Sequence, residues 1–279
     1  MIEAVSNRRA ALLVLAALGL AGCAPRPDGA RSQPDKASDA YRAPPLLMHA
    51  VRAPDGSVRL SGSAPADALV RLRSPYGPGV AALAGADGAW SLTLPPADAP
   101  RLYAFEAELA GQVLRGEGAV AVLPAPSPVA LMLRAGFAAA PTGLGSAGRL
   151  QLLTVDYDGG GAAAGGFAPP DSPVRLTVDG GVVGVARADA RGHFAILAVD
   201  PQRGVAPGRR ELRVDTPQGL SVERPVQIAA AQLPPDKVFT AVRDPGGWRI
   251  SWRIPGGGAQ SSLVFDDAVS GAPRAVSPR

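Results

Sequence analysis

The sequence predicts an all-β protein made of repeated β-sandwich modules. Three observations carry that prediction. Apolar and polar residues alternate over many short stretches instead of recurring at helical spacing. The 34 glycines and 29 prolines are spread between those stretches, as turns joining short strands require. A block of 31 residues recurs farther along the chain with its turn and apolar positions kept. The glycines follow no three-residue period, which excludes collagen.

Residues 1–22 have the parts of a secretory signal. Arg8 and Arg9 form the positive end, Ala10 to Leu20 is a short apolar stretch, and Leu20-Ala21-Gly22-Cys23 closes it. The apolar run is about half of the roughly 20 residues that span a bilayer, so it is expected to direct export and not to stay as an anchor. Leu20-Ala21-Gly22-Cys23 matches a bacterial lipobox: small residues let a peptidase approach the backbone, and the Cys23 thiol is the nucleophile that takes diacylglycerol. The segment therefore resembles bacterial lipoproteins. That resemblance implies that the chain is cut before Cys23, that Cys23 bears a thioether lipid, and that its new amine is acylated. Several chains on one residue give firm anchoring, since each buried methylene contributes about 0.8 kcal/mol. Ala24, and not Asp, follows the cysteine. In Gram-negative lipoproteins that implies sorting to the outer membrane. Asn7-Arg8-Arg9-Ala10 also hints at the twin-arginine route, without its usual flanking residues.

Residues 23–45 are rich in Pro, Asp, Arg, Ser and Ala and have no apolar period, which predicts a disordered tether. Alternation begins at Leu46. Ser57-Val58-Arg59-Leu60-Ser61, Val70-Arg71-Leu72-Arg73, Trp90-Ser91-Leu92-Thr93-Leu94 and Tyr103 to Leu109 read as half-buried strands, and Val113 to Leu123 completes a first module over 46–123. A shift of 104 positions lays Gly62–Leu92 on Gly166–Ile196 without a gap, with 12 of 31 pairs identical, and places Trp90 on Phe194. Both rings are expected between the two sheets of their modules. The second module is expected over 149–232. Residues 124–148 are expected to be a linker with one strand, Val129 to Leu133. Residues 233–279 echo the region from Ala50 to Ser61 and are expected to form a short β segment, either a partial third repeat or strands added to a neighbouring sheet.

Gly62, Ala64, Pro65, Val70, Leu72, Asp87, Gly88 and Trp90 follow a pattern that resembles the immunoglobulin-like modules of bacterial adhesins and envelope proteins. Gly166, Ala168, Pro169, Val174, Leu176, Asp189, Gly192 and Phe194 repeat it. The resemblance covers about two thirds of the chain and implies tandem immunoglobulin-like sandwiches serving as spacers, adhesive surfaces or binding modules, with no functional residue to carry over.

The formal net charge of +4 becomes +3 when residues 1–22 take away two arginines and Glu3. No basic run is interleaved with aromatics, so no nucleic-acid partner is expected. The single cysteine excludes an intramolecular disulfide.

Candidate chemistry is sparse. His49 and His193 are the two histidines, both expected at surface or edge positions, with His193 on the face opposite Phe194. Asp156-Tyr157-Asp158-Gly159-Gly160-Gly161 faintly resembles a calcium loop but lacks a third acidic ligand and a closing Glu, which favours an extended turn. Asp266-Asp267 is read in the same way. The Gly159–Gly166 stretch has no Lys-Ser/Thr after it, so it is not a phosphate cradle. Gly143-Leu144-Gly145-Ser146-Ala147-Gly148 misses the spacing of a nucleophile elbow. Trp248 and Trp252, four apart on one strand, share a face. They form either a binding face for sugar or peptide or the core of a small terminal segment, the latter favoured because a short piece needs large side chains to fold. The expectation is a non-catalytic envelope protein without cofactor or metal, held to the membrane through Cys23, its modules acting as scaffold or adhesion surface for another envelope protein or glycan. The alternative is a carbohydrate- or peptidoglycan-binding accessory lipoprotein.

Overall fold

A computed structural model gives the structure, and the residues described are 42–142, 148–198 and 205–266. Cys23, Asp267 and Gly143 to Ala147 lie outside them, as does the tether before Arg42. The first half of the chain forms β1 (Leu46–Arg52), β2 (Val58–Ser63), β3 (Leu69–Arg73), β4 (Val80–Leu83), β5 (Ala89–Leu94), β6 (Arg101–Leu109), β7 (Gln112–Val122), β8 (Ala130–Leu133) and β9 (Ala140–Pro141). The second half forms β10 (Gln151–Tyr157), β11 (Ala162–Phe167), β12 (Pro173–Val178), β13 (Gly181–Arg187), β14 (His193–Ala198), β15 (Gly208–Asp215) and β16 (Ser221–Ile228). Three more strands follow: β17 (Phe239–Asp244), β18 (Gly247–Arg253) and β19 (Ala259–Phe265).

The strands make four antiparallel sheets among the described residues. Sheet A is β1-β2-β5, sheet B is β4-β3-β6-β7-β8-β9, sheet C is β14-β11-β10-β19-β18-β17, and sheet D is β13-β12-β15-β16. The protein is all-β, built of tandem sandwiches. Sheets A and B close on a core that includes Leu60, Leu72, Trp90, Phe105 and Val120. Sheets C and D close on Leu152, Leu176, Phe194, Ile196 and Leu212. Trp90 and Phe194 fill equivalent places. Each ring stands opposite a glycine in the ladder, Gly62↔Trp90 and Gly166↔Phe194. A Cβ on either glycine would lie 3.0 Å from the ring and 1.9 Å from a carbonyl oxygen of the neighbouring strand, Leu46 in one module and Gln151 in the other. The sequence repeat is thus a packing repeat: in each module the glycine admits a neighbouring strand's carbonyl oxygen, and the ring seats beside it.

Two departures from the repeat join the modules. In the first, residues 124–148, expected to link the modules with one strand, supply two strands, β8 and β9, which extend sheet B beyond β7. In the second, β17–β19 join sheet C because β19 pairs with β10. Of the two arrangements expected for the C-terminal segment, addition to a neighbouring sheet is the one formed, since three short strands cannot enclose a core of their own. The outer face of B and the β17–β19 part of C then close on a third core of Leu123, Leu131, Leu133, Phe239, Ile250 and Trp252. The layers run A, B, C, D. Alternation accordingly disappears where both faces are covered: every residue of β10 and β11 is buried.

Candidate functional site

The module junction holds the polar side chains that the sandwich pattern does not explain. Asp156 on β10 is buried, and its carboxylate accepts the Ala139 N–H at 2.8 Å, the Gln260 Nε2–H at 3.0 Å and the Ser262 hydroxyl. Gln260 on β19 reaches across in turn, accepting the Gly136 N–H at 3.0 Å and donating to the Phe137 carbonyl at 3.1 Å. Thr154 donates its hydroxyl to the Ala139 carbonyl at 2.9 Å. Sheet C therefore grips the segment before β9 through side chains of β10 and β19. Burial pushes the Asp156 carboxyl up to about 6, against the pull of its three hydrogen bonds, Ser262 first. The close approach also explains Gly165 in β11. The strand's Ala-Ala-Ala-Gly-Gly sequence is poor strand former by propensity, yet a Cβ at Gly165 would meet the Thr154 hydroxyl at 2.8 Å and the Ala138 methyl at 3.0 Å. The Gly159–Gly166 stretch is therefore mostly a buried strand. Asp158 tightens the turn before it, accepting the N–H groups of Gly160 and Gly161. Asp156 and Asp158 thus have structural roles in place of a shared ion loop.

Two further contacts close the junction. Asp266, just after β19, takes the Ser127 hydroxyl from the β7–β8 loop and both amino groups of Arg243. Tyr76, in the β3–β4 turn, accepts the N–H groups of Val238 and Phe239 at 2.7 and 3.2 Å and donates to the Phe239 carbonyl at 3.2 Å.

Between these contacts the two modules leave an open groove of about 890 Å³ across the outer face of sheet B. Leu102, Ala104 and Ala119 of β6 and β7 form its floor, and Phe137, Val238 and Trp252 its walls. Phe137 and Val238 are 50 % and 40 % exposed, large apolar side chains left facing water. The rim carries Arg73, Arg115, Arg134 and Arg253 against Glu106 and Glu117, a surplus of two positive charges. Arg73 pairs with Glu106 at 3.4 Å and Arg134 with Glu117 at 3.6 Å, while Arg253 donates to the carbonyls of Pro235 and Lys237. A bulge shapes this side: Ala104 pairs with Ala119 and Glu106 with Arg115, so Gly116-Glu117-Gly118 loops out opposite Phe105 alone. A Gly-X-Gly inside an alternating run is the sequence signal for such a bulge.

Trp248 and Trp252 do share a face, together with Ile250, but that face belongs to the third core. Trp252 is only 3 % exposed and borders the groove; Trp248 is half-buried with the Arg243 guanidinium 5.2 Å from its ring centre. They do not form an open aromatic platform. His49 is exposed on β1 in sheet A, whereas His193 begins β14 in sheet C. His193 is half-buried instead of free on the surface: it stacks on Phe167 at 4.9 Å and faces Asp189 at 3.4 Å. Among the described residues no three His, Cys, Asp or Glu side chains gather into a metal-binding group.

No protein-family model matches the chain, and no curated protein does. Among solved structures it is similar to a central fibronectin-III array of RIM-binding protein, at 11 % identity and TM-score 0.25 over 84 % of this chain and 90 % of that one. It is also similar to a 1.5-MDa bacterial ice-binding adhesin, at 11 % identity and TM-score 0.19 over 76 % of this chain and 57 % of that one. A Ca2+-stabilized adhesin of an Antarctic bacterium aligns at 15 % identity and TM-score 0.19 over 77 % and 62 %. The tandem-sandwich architecture is established by the four sheets themselves.

Proposed function

We propose that this chain is a non-catalytic, lipid-anchored protein of the bacterial envelope in which two fused β-sandwich modules act as an interaction scaffold, with the junction groove as the contact site. The groove carries this reading. Phe137 and Val238 are exposed beside the apolar face of β6 and β7, and it is their gathering in one concave groove, not exposure alone, that marks the surface. A floor made by one module and walls made by both require the modules to be held in one arrangement, which the third core supplies. The anchor follows from the lipobox at Cys23, and outer-membrane sorting from Ala24. The burial of Trp252 counts against the alternative of a sugar-binding platform on the terminal aromatics.

The test is site-specific photo-crosslinking in cells. A photoreactive residue at the exposed groove position Ala104 should trap a discrete envelope component. The same residue at Val185, 72 % exposed on the outer sheet D, should not. Equal trapping from both positions, or from neither, contradicts the reading.

A further inference from the structure

We propose that the junction groove binds a single-chain amphiphile with a carboxylate head, the alkyl chain lying on Ala104 and Ala119 between Phe137 and Val238 and the head held by Arg115. This deepens the preceding reading and rests on it for the groove's being a contact site.

The size and lining of the groove suit a small apolar ligand. Its volume of about 890 Å³ falls within the range of about 300–1,000 Å³ typical of small-molecule sites. The floor is the face of a sheet, not its edge. Backbone N–H and C=O groups lie in the plane of the strands, so outside the Gly116-Glu117-Gly118 bulge a ligand resting on this face meets side chains. An extended peptide laid there would turn its own amides toward apolar walls without partners, and that is costly. The start of β17 also borders the groove through Val238, but its backbone is already engaged. Tyr76 takes the N–H groups of Val238 and Phe239, and the Arg253 N–H takes the Val238 carbonyl. An alkyl chain asks for none of these groups.

The rim gives the sign of the head. Three of its four arginines are committed: Arg73 to Glu106, Arg134 to Glu117 and the Phe137 ring, and Arg253 to two carbonyls. Arg115 is exposed and has no carboxylate or carbonyl partner among the described residues. A guanidinium offers two parallel N–H donors to one carboxylate, so one free arginine matches one such head.

The test uses the full chain carrying Cys23→Ser, in detergent-free buffer, titrated calorimetrically with dodecanoate, dodecanol, dodecylammonium and hexanoate. Dodecanoate should bind one to one. Affinity should fall roughly fourfold for each methylene removed, the equivalent of about 0.8 kcal/mol per buried methylene, leaving hexanoate roughly a thousandfold or more weaker. Arg115→Glu, at an exposed position, should weaken dodecanoate at least tenfold and leave dodecanol unchanged. Ala104→Trp should block both without moving the melting temperature; if that variant unfolds, Arg115→Glu alone decides. The proposal is overturned if dodecanoate does not bind, if dodecylammonium binds as well, or if Arg115→Glu changes nothing. It is likewise overturned if an acidic amphipathic peptide saturates the groove and dodecanoate does not displace it. Trapping of an envelope protein at Ala104 with no response to dodecanoate would retain the scaffold and discard this ligand.

Discussion

The Asp156 carboxylate, on a strand of the second module, accepts the backbone N–H of Ala139, which belongs to the extension of the first, at 2.8 Å. Both residues are buried. An ionised carboxylate in such a place is tolerated because Gln260 and Ser262 supply further donors, and its removal would leave those donors unpaired. A charged group thereby fixes the position of one module against the other.

Asp156 should make stability depend on pH. Its folded pKa of about 6 lies above the ordinary 3.8 because burial disfavours the charge. The folded state therefore holds a proton more tightly than the unfolded one. The associated stabilisation is full below about pH 3.8 and is lost as pH rises through 6, about 3 kcal/mol in all. Urea unfolding of the wild type and Asp156→Asn between pH 4 and 7 isolates this contribution. The wild type should lose stability relative to Asp156→Asn as pH rises; parallel profiles would contradict the assignment.

Gly62→Ala and Gly166→Ala should be equivalent lesions. Each places a methyl group against a carbonyl oxygen and a core ring, Trp90 or Phe194. Each is expected to cost about 3 kcal/mol or more. Trp90→Ala and Phe194→Ala should cost about 3–5 kcal/mol each through the cavities they leave. Denaturation midpoints measure all four. A tolerated alanine at one glycine and not at the other would break the equivalence of the modules.

Tyr76→Phe should loosen the start of β17 by removing the hydroxyl that serves Val238 and Phe239. The expected loss is about 1–2 kcal/mol, with faster hydrogen exchange at the Val238 amide than in the wild type. Unchanged exchange there would mean that the tyrosine does not hold the strand.

Cys23 should carry the lipid. A palmitate analogue fed to cells should label the wild type and leave Cys23→Ser unlabelled. Label persisting in the variant would remove the anchor from the account.

The repeated part of the fold was legible in the sequence because its signals are local. Turn glycines, alternating Val-x-Leu strands and one ring per module sit at fixed spacing, and that spacing alone matches Trp90 with Phe194. The junction was not legible, because its determinants look like noise within a strand pattern. Gly165 of β11 is glycine because Thr154, Ala138 and Ala139 press on it, the last two from a separate stretch of chain. Asp156 stood out only as part of a weak ion-loop motif; its true partners, Gln260 and Ser262, lie more than a hundred positions away. The shared face of Trp248 and Trp252 followed from their spacing, but what covers that face depends on which sheet β19 joins. The groove exists only once that choice is made.

Differential scanning calorimetry of the full chain and of Trp252→Ala tests the joining of the modules most directly. Two modules sharing the core of Leu131, Ile250 and Trp252 should unfold in one cooperative transition, with calorimetric and van't Hoff enthalpies equal. Trp252→Ala should lower that transition by about 3–5 kcal/mol and separate it into two. Two transitions in the wild type, or a single undisturbed one in Trp252→Ala, would show that the sandwiches fold as independent beads and that the groove between them is not a fixed site.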